Sequence, residues 1–183
     1  NNVNATSTTF TFYGASQSNW SAVTNFSISL AKPLALNVVG SSSYATIYLP
    51  VDVTTSGSTK AYYIQTADNG SAQLTETANE GTEIPANTAV VLVNEDADAT
   101  TFLHMTTGLD PVVDEDVNLL NGTLVPRTLD LSDNTTYYSL GKKNDKIGFY
   151  KFEKGGSSVI TLGANKAYLD TPAASSARGF VFE

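Results

Sequence analysis

The 183-residue sequence contains no cysteine and only one histidine. The lack of cysteine excludes disulfides, thiolate metal sites and cysteine nucleophiles together. The histidine, His104, lies in the apolar run 102–105. A Ser-His-Asp triad or a histidine metal site would have to be built on it, and no second histidine could share a metal ion. We therefore expect His104 to be structural.

Positive charge is also scarce. The chain has 10 lysines and arginines against 18 aspartates and glutamates, which gives a formal net charge of -8. A nucleic-acid-binding surface needs clustered cations that neutralise phosphates, and here the cations are scattered along the chain. We therefore expect no nucleic-acid partner and no adsorption to an anionic membrane.

Long apolar runs are missing as well. No stretch approaches the roughly 20 apolar residues that a membrane-spanning helix needs, so we expect no membrane insertion. Only 15% of the residues are charged, whereas Ser, Thr, Asn and Gly are abundant. An uncharged polar surface of this kind is typical of extracellular β proteins, and it predicts a secreted or cell-surface location.

The sequence is rich in the two-residue period of β-strands. In FSISL (26–30) apolar residues alternate with serine, and strands with one solvated face are antiparallel in most folds. No segment keeps a 3.6-residue apolar period over three turns. Other predicted strands are short and rich in β-branched or aromatic residues: 9–12, 44–49, 61–65, 72–76, 88–93, 101–105, 137–140, 147–152, 159–162, 166–170 and 179–182.

Turn residues separate these strands. The predicted turns are 68–70, Asn121-Gly122, 143–145 and Gly155-Gly156. Many short strands at near-regular spacing predict an all-β fold, an antiparallel β-sandwich or barrel-like module.

The sequence also contains an internal repeat. AYYI (61–64) leads through the turn at Asn69-Gly70 to IPANTAVVL (84–92), and TYYS (136–139) leads through the turn at Asn144-Asp145 to LGANKAYL (162–169). The tyrosine pairs are 75 positions apart and the Ala-Asn pairs are 78 apart. We interpret this as a duplicated β unit within residues 61–170. The alternative is a coincidence between two low-complexity β meanders.

The first 43 residues differ from the rest in having few charges, many Ser and Thr, and the only tryptophan. We divide the chain into an N-terminal β segment, residues 1–43, packed on the main body, and a duplicated antiparallel β module, residues 44–183. The run 40–43 between them is short enough for an ordinary loop. A separate N-terminal domain is the alternative.

Six segments, in this order, resemble a known family. They are ATIYLPVDV (45–53), KAYY (60–63), IPANTAVVL (84–92), LLNGT (119–123), KIGFYKF (146–152) and LGANKAYL (162–169). Together they resemble a β module near the C-termini of secreted proteins of gut Bacteroidetes, among them glycoside hydrolases, leucine-rich-repeat proteins and adhesin-like proteins. The resemblance covers roughly residues 44–183. It implies an extracellular accessory role, including carbohydrate binding, and it brings no catalytic residues to this chain.

Aromatic residues are the strongest remaining signal of function. Trp20 lies in the polar stretch 13–21, which has no strand pattern. A tryptophan there either folds over the core, which is the default, or faces a ligand, where its flat ring could stack on a pyranose ring. If a glycan site exists there, Tyr13, Gln17 and Asn19 are its natural companions.

Acidic residues offer two weaker possibilities. Asp110, Asp114 and Asp116 lie in one loop and carry hard oxygen ligands of the kind that hold calcium, but the spacing lacks the glycine-turned EF-hand loop. A solvated acidic loop is the default. A glycosidase needs two carboxylates about 5 to 10 Å apart, but the glutamates mostly fall near turns and strand ends.

These observations favour a non-catalytic accessory module of a secreted bacterial polysaccharide-degrading protein. We expect its partners to be a polysaccharide or glycan and the neighbouring domains of a parent protein, with no cofactor except possible calcium. One alternative is a structural spacer or adhesin-type domain with no glycan ligand. Another is a small hydrolase built on two facing carboxylates.

Overall fold

A computed structural model describes residues 26–29, 37–96, 98, 101–110, 117–131, 135–152, 158–172 and 177–182. Within these residues the chain forms sixteen strands and one short helical turn, α1 (Ala78–Gly81). The first eight strands are β1 (Phe26–Ser29), β2 (Asn37–Val39), β3 (Ser42–Ile47), β4 (Val53–Thr55), β5 (Thr59–Asp68), β6 (Ser71–Glu76), β7 (Glu83–Ile84) and β8 (Val90–Asn94).

The remaining eight strands follow along the chain. They are β9 (Phe102–Met105), β10 (Leu120–Thr123), β11 (Arg127–Asp130), β12 (Thr135–Lys143), β13 (Lys146–Lys151), β14 (Val159–Leu162), β15 (Lys166–Pro172) and β16 (Gly179–Phe182). In the part of the chain described here, no helix has the length and apolar character needed to cross a membrane.

Ten of these strands form one long, curved sheet in the order β10-β15-β12-β13-β16-β6-β5-β8-β3-β2. Neighbouring strands are antiparallel, except that β16 and β6 run parallel. The sheet curls on itself, because β3 comes close to β15, and β2 comes close to β12 and β13. The predicted all-β, antiparallel, barrel-like fold is therefore confirmed, with one parallel pairing as the exception.

The inner face of the curved sheet encloses the main core. The rings of Tyr138 and Phe180 meet edge to face there with centroids 5.0 Å apart, an arrangement that aromatic pairs favour. The buried apolar side chains of this core are Ile64, Ala72, Ala89, Val91, Val93, Leu120, Tyr138, Phe149, Ala167, Leu169 and Phe180. They come from both halves of the sheet, so neither half buries its inner face without the other.

The two halves of the sheet share one pattern of strand pairing. In the first unit, β3 to β8, β3 pairs with β8, β8 with β5, and β5 with β6. In the second unit, β10 to β15, β10 pairs with β15, β15 with β12, and β12 with β13. A flanking pair repeats as well, β4 with β7 and β11 with β14. The predicted duplication is therefore visible in the fold and extends beyond residues 61–170.

The turns inside the two units are also alike. The hairpin turns have left-handed φ values at both central positions, 46° and 86° at Asn69 and Gly70, and 51° and 58° at Asn144 and Asp145. Such values are those of the type I′ turn, whose twist matches that of paired antiparallel strands. The predicted turns at these two positions are confirmed.

The strand registers refine the alignment of the two units. If the third strands, β8 and β15, are aligned on their Ala-Asn turns, Val91 corresponds to Leu169. Their partners on the central strands are Tyr62 and Tyr138. The sheet therefore equates Tyr62 with Tyr138, one position beyond the match that the sequence alone suggests.

The two units differ in what covers their outer face. A four-stranded sheet of order β1-β9-β4-β7 packs on the first unit, and the side chains buried between the layers are Ile47, Val53, Ala61, Ile84, Val90, Leu92 and Leu103. Strand β8 is consequently buried on both faces. On the second unit the corresponding layer, within the described residues, is the two-stranded sheet of β11 and β14.

The predicted turn at Asn121-Gly122 is wrong. Both residues lie inside β10, where they pair with Tyr168 and Ala167. A Cβ atom on Gly122 would overlap the ring of Tyr48, so this glycine allows an aromatic ring to lie against the strand. The Asn-Gly pair favours a turn locally, but strand pairing and close packing decide the conformation here.

Two strands of the N-terminal segment join the sheets of the main body. Strand β1 pairs with β9, and β2 pairs with β3. Strand β3 begins at Ser42 and runs across the predicted boundary after residue 43. The division of the chain at that boundary stays a prediction.

Candidate functional site

The predicted glycan site around Trp20 lies outside the described residues. The same holds for its predicted companions Tyr13, Gln17 and Asn19. Their role in binding a glycan stays a prediction.

The predicted calcium ligands are only partly described. Asp114 and Asp116 lie outside the described residues, and Asp110 is exposed to solvent. Within the described ranges no group of three or more His, Asp or Glu side chains is placed to hold a metal ion. A calcium site in this loop stays a prediction.

His104 lies in the middle of the outer sheet of the first unit. It is half-buried on β9, in register with Ser27 of β1 and Thr54 of β4. Neither neighbour is a carboxylate that could orient the imidazole for base catalysis. The structural role expected for His104 stays a prediction.

A different set of polar and aromatic residues shares the outer face of the second unit. The registers place Asn121 opposite Tyr168, Asp170 opposite Tyr137, and Ser139 opposite Tyr150. Their neighbours along the strands point into the core, so this set points away from it. We call the set the outer tyrosine face and define it by Asn121, Tyr137, Ser139, Tyr150, Tyr168 and Asp170.

Tyr168 forms the floor of this face. Only 2% of Tyr168 is exposed, and its hydroxyl oxygen accepts a hydrogen bond of 2.9 Å from Nη1 of Arg127 on β11. The Tyr137 ring leans on it, with centroids 6.1 Å apart and planes at 59°. Burial raises the pKa of the Tyr168 hydroxyl, which therefore stays protonated. Tyr137 is half-buried and keeps part of its ring at the surface.

Asp170 supplies the carboxylate of the outer tyrosine face. Nδ2 of Asn121 donates a hydrogen bond of 3.1 Å to Oδ1 of Asp170. Burial raises the pKa of Asp170, whereas the charge of Arg127 and the bond from Asn121 act in the opposite direction. The backbone amide of Asp170 also donates to this carboxylate, and no other described side chain does.

Tyr150 lies against the sheet at the other side of the face. Its register partner is Gly179 on β16, and a Cβ atom on Gly179 would stand 2.7 Å from Cδ1 of the ring. A Cβ atom on Gly141 would stand 3.5 Å from Cδ2. The ring thus lies over two glycines and covers backbone that carries no side chain, an arrangement known to stabilise glycine in sheets. Tyr150 is half-buried, with one ring face on the sheet.

The same positions in the first unit carry apolar residues. The alignment of the two units matches the cross-strand pair Ala61–Leu92 with the pair Tyr137–Asp170. Ala61 and Leu92 are 0% and 2% exposed beneath the outer sheet. Duplicated positions are therefore apolar and covered in one unit, but aromatic, acidic and partly exposed in the other.

The sequence pattern alone does not identify the outer tyrosine face, because its tyrosines lie within strands, where aromatic side chains also fill the core. A signal was nevertheless present. The repeat aligns AVVL (89–92) with AYLD (167–170), so the second copy replaces two apolar residues on one face by Tyr and Asp. This difference between the two copies marks Tyr168 and Asp170.

The chemistry that these residues offer is recognition of hydroxyl groups and apolar ring faces. Asp170 is the one carboxylate among the six residues of the face, whereas glycoside hydrolysis by acid and nucleophile or base needs two. Comparisons of the chain with protein-family models, with curated proteins and with solved structures gave no match. The resemblance to secreted Bacteroidetes modules therefore stays a prediction.

Proposed function

We propose that this chain is a non-catalytic accessory module of a secreted or cell-surface bacterial polysaccharide-degrading protein, and that it binds glycan on the outer tyrosine face. One observation carries the proposal. The second unit has the partly exposed pair Tyr137 and Asp170 where the first unit has the covered pair Ala61 and Leu92. A duplicated fold does not need this exchange for its own packing.

The exposed groups suit a sugar. The ring of Tyr137 offers an apolar surface to the C–H face of a pyranose, as aromatic side chains with one wet side do at interfaces. The carboxylate of Asp170 and the amide of Asn121 would accept and donate hydrogen bonds to its hydroxyls. Bonds to an ionised acceptor are roughly twice as strong as neutral ones, so Asp170 gives most of the polar affinity.

The protonation behaviour of Asp170 supports a role in binding. Burial raises its pKa, which means that the folded protein disfavours the ionised form. The equivalent position in the first unit is Leu92, so an apolar residue is compatible with this strand. A charged group that the fold disfavours, at a partly exposed site, is a candidate for function.

The wider role rests on composition and resemblance. The uncharged polar surface favours an extracellular location, and the resemblance implies attachment to a polysaccharide-degrading or adhesive protein. The partners we propose are therefore a glycan and the neighbouring domains of the parent protein, with no nucleic acid and no insertion into a membrane.

The test is a binding screen with matched variants. Isothermal calorimetry and affinity electrophoresis against plant and host glycans should detect at least one ligand. Tyr137→Ala and Asp170→Asn should each weaken it by about tenfold or more, equivalent to about 1.4 kcal/mol. Tyr63→Ala is the control, because Tyr63 is half-buried on the central strand of the first unit. It should bind like the unaltered protein.

Two results would count against the proposal. If no glycan binds, the proposed function is wrong. If a glycan binds but both variants bind it unchanged, the site is wrong, and the stretch around Trp20 becomes the better candidate. Circular dichroism of each variant separates a loss of binding from a loss of folding.

The alternative function is that of a structural spacer or adhesin-type domain. The burial of Tyr168 beneath Arg127 favours it, because a ring that is 2% exposed stabilises the fold and offers no stacking surface. This alternative predicts that Tyr137→Ala lowers the free energy of unfolding and that the unaltered protein binds no glycan.

A further inference from the structure

We propose that Tyr150 is a second aromatic subsite, and that the ligand is an extended, uncharged polysaccharide chain spanning several sugar units. A single terminal sugar would not need two aromatic subsites, and an acidic sugar would not suit a row that contains Asp170. The inference rests on the proposed function of the outer tyrosine face and identifies the class of glycan that it binds.

The ring of Tyr150 is held flat before any ligand arrives. Its hydroxyl donates a hydrogen bond of 2.9 Å to the carbonyl oxygen of Lys146, four residues earlier on the same strand. The ring therefore lies along β13, over Gly179 and beside Gly141. A side chain fixed in this way loses little conformational entropy on binding, so stacking on its outer side costs less free energy.

Tyr150 and Tyr137 are close enough to contact one chain. Tyr150 stands opposite Ser139, and Tyr137 lies two residues before Ser139 on the same face of β12. The Cα atoms of the two tyrosines are thus diagonal neighbours, about 7 to 8 Å apart by the usual geometry of antiparallel pairs. The bond to Lys146 carries the Tyr150 ring along β13 toward Gly141, so the two rings lie on the same face but further apart than their Cα atoms. An extended chain, rather than one sugar unit, would reach both rings.

Polar side chains continue the row of aromatic side chains across the sheet. Asn121, Asp170, Tyr137 and Tyr150 lie on four consecutive strands, β10, β15, β12 and β13. Since neighbouring strands are about 4.8 Å apart, the row is about 14 Å long. A row of this length exceeds one pyranose ring and fits an oligosaccharide that crosses the strands.

Charge in the middle of the row favours a neutral chain. Asp170 stands within the row, and the whole chain carries a formal charge of -8, so a uronic acid bound beside Asp170 would be repelled.

The cations of this face lie away from Asp170 or already have a partner. Arg127 donates to the hydroxyl of Tyr168. By strand alternation, Lys143 and Lys146 are cross-strand neighbours on the outer face, at the hairpin end beyond the ring of Tyr150.

The test measures affinity against chain length. Linear cello-, xylo- and manno-oligosaccharides of one to six units are titrated by calorimetry, with polygalacturonate as the acidic probe. In the series that binds, affinity should rise by about tenfold or more from the shortest to the longest member. Tyr150→Ala should lower the affinity for the hexasaccharide by about tenfold and leave that for the disaccharide unchanged, because the disaccharide reaches only Tyr137 and Asp170.

Two controls keep the result interpretable. Tyr150→Phe retains the ring and should retain most of the length dependence, whereas Tyr63→Ala should leave every titration unchanged. The inference is overturned if the monosaccharide binds as tightly as the hexasaccharide, if Tyr150→Ala weakens every length equally, or if polygalacturonate binds best. Failure of all four probes would overturn this inference, and failure of the whole panel of plant and host glycans would overturn the proposed function as well. Binding that ignores Tyr137→Ala and Asp170→Asn would overturn the proposed site and this inference with it.

Discussion

The pKa values of two aspartates, Asp52 and Asp170, are shifted in opposite directions for different physical reasons. Asp52 accepts hydrogen bonds from the backbone amides of Ala86, at 2.7 Å, and Leu109, at 3.2 Å. The bond from Ala86 is the main reason why its pKa is lowered. Burial raises the pKa of Asp170. By linkage, these opposite shifts give the two carboxylates opposite effects on stability as the pH changes.

Replacing Asp52 tests the first effect. Its folded pKa lies below the unfolded value of 3.8, so its contribution to stability is present above that value and is lost as the pH falls through the folded pKa. Asp52→Asn should lower the free energy of unfolding by about 1 to 2 kcal/mol at pH 7, because the anion and one acceptor are lost. Urea unfolding at about pH 7 and about pH 3 should show the difference shrinking. An equal difference at both pH values would contradict the assignment.

Replacing Asp170 tests the opposite sign. Its folded pKa is raised, so the stability linked to its protonated form is fully present below the unfolded value and is lost as the pH rises through the folded pKa. At neutral pH the charge therefore costs stability. Asp170→Asn should be at least as stable as the unaltered protein in urea at pH 7, while its glycan affinity falls. A variant that is less stable would indicate that the Asn121–Asp170 bond is mainly structural.

At the scale of elements, glycine decides the shape of β10. Gly122→Ala should lower the free energy of unfolding by about 1 to 3 kcal/mol, because the added methyl group would overlap the Tyr48 ring. Gly163→Ala is the matched control, since a Cβ atom there meets nothing within 4 Å. It should change stability by less than about 0.5 kcal/mol in the same urea experiment. Equal effects of the two changes would argue against the close packing of Tyr48 on β10.

The two hairpin turns allow a reciprocal experiment. Asp145 has a φ of 58°, a conformation that glycine adopts without strain. Asp145→Gly should therefore raise the free energy of unfolding by about 0.5 to 1 kcal/mol, since the exposed ion pair with Lys142 at 3.0 Å contributes little. Gly70→Asp, at the matching position with φ of 86°, should lower it. Thermal unfolding of both variants measures the two shifts, and shifts of the same sign would contradict the common turn geometry.

At the scale of the whole molecule, the duplicated units differ in what covers their outer faces. The first unit is covered by a four-stranded sheet, and the second presents the outer tyrosine face. Leu92→Asp should lower the free energy of unfolding by about 3 to 5 kcal/mol, because it buries a charge without a partner. Asp170→Leu, at the equivalent position, should lower it by no more than about 1 kcal/mol while abolishing glycan binding. Circular dichroism during urea unfolding measures both, and equal losses would contradict the different burial of the two positions.

Most strands could be predicted from the sequence because their signals are local. Apolar alternation and β-branched residues identified β3, β5, β6, β8, β12 and β13, each to within a few residues of its ends. The short strands β2, β4 and β7 escaped prediction because two or three residues carry no readable period. They exist because neighbouring strands satisfy their backbone hydrogen bonds.

The sequence by itself determined the all-β class, the hairpin turns and the duplication, because period, turn chemistry and repetition are written in neighbouring residues. Only the tertiary structure decided that Asn121 and Gly122 form a strand, and that Tyr137, Tyr150 and Asp170 share one partly exposed face. The physical reason is that burial depends on which sheet packs over a strand, and that contact joins residues far apart in the chain. The two units share their backbone pairing, but only the first is sealed by the four-stranded layer.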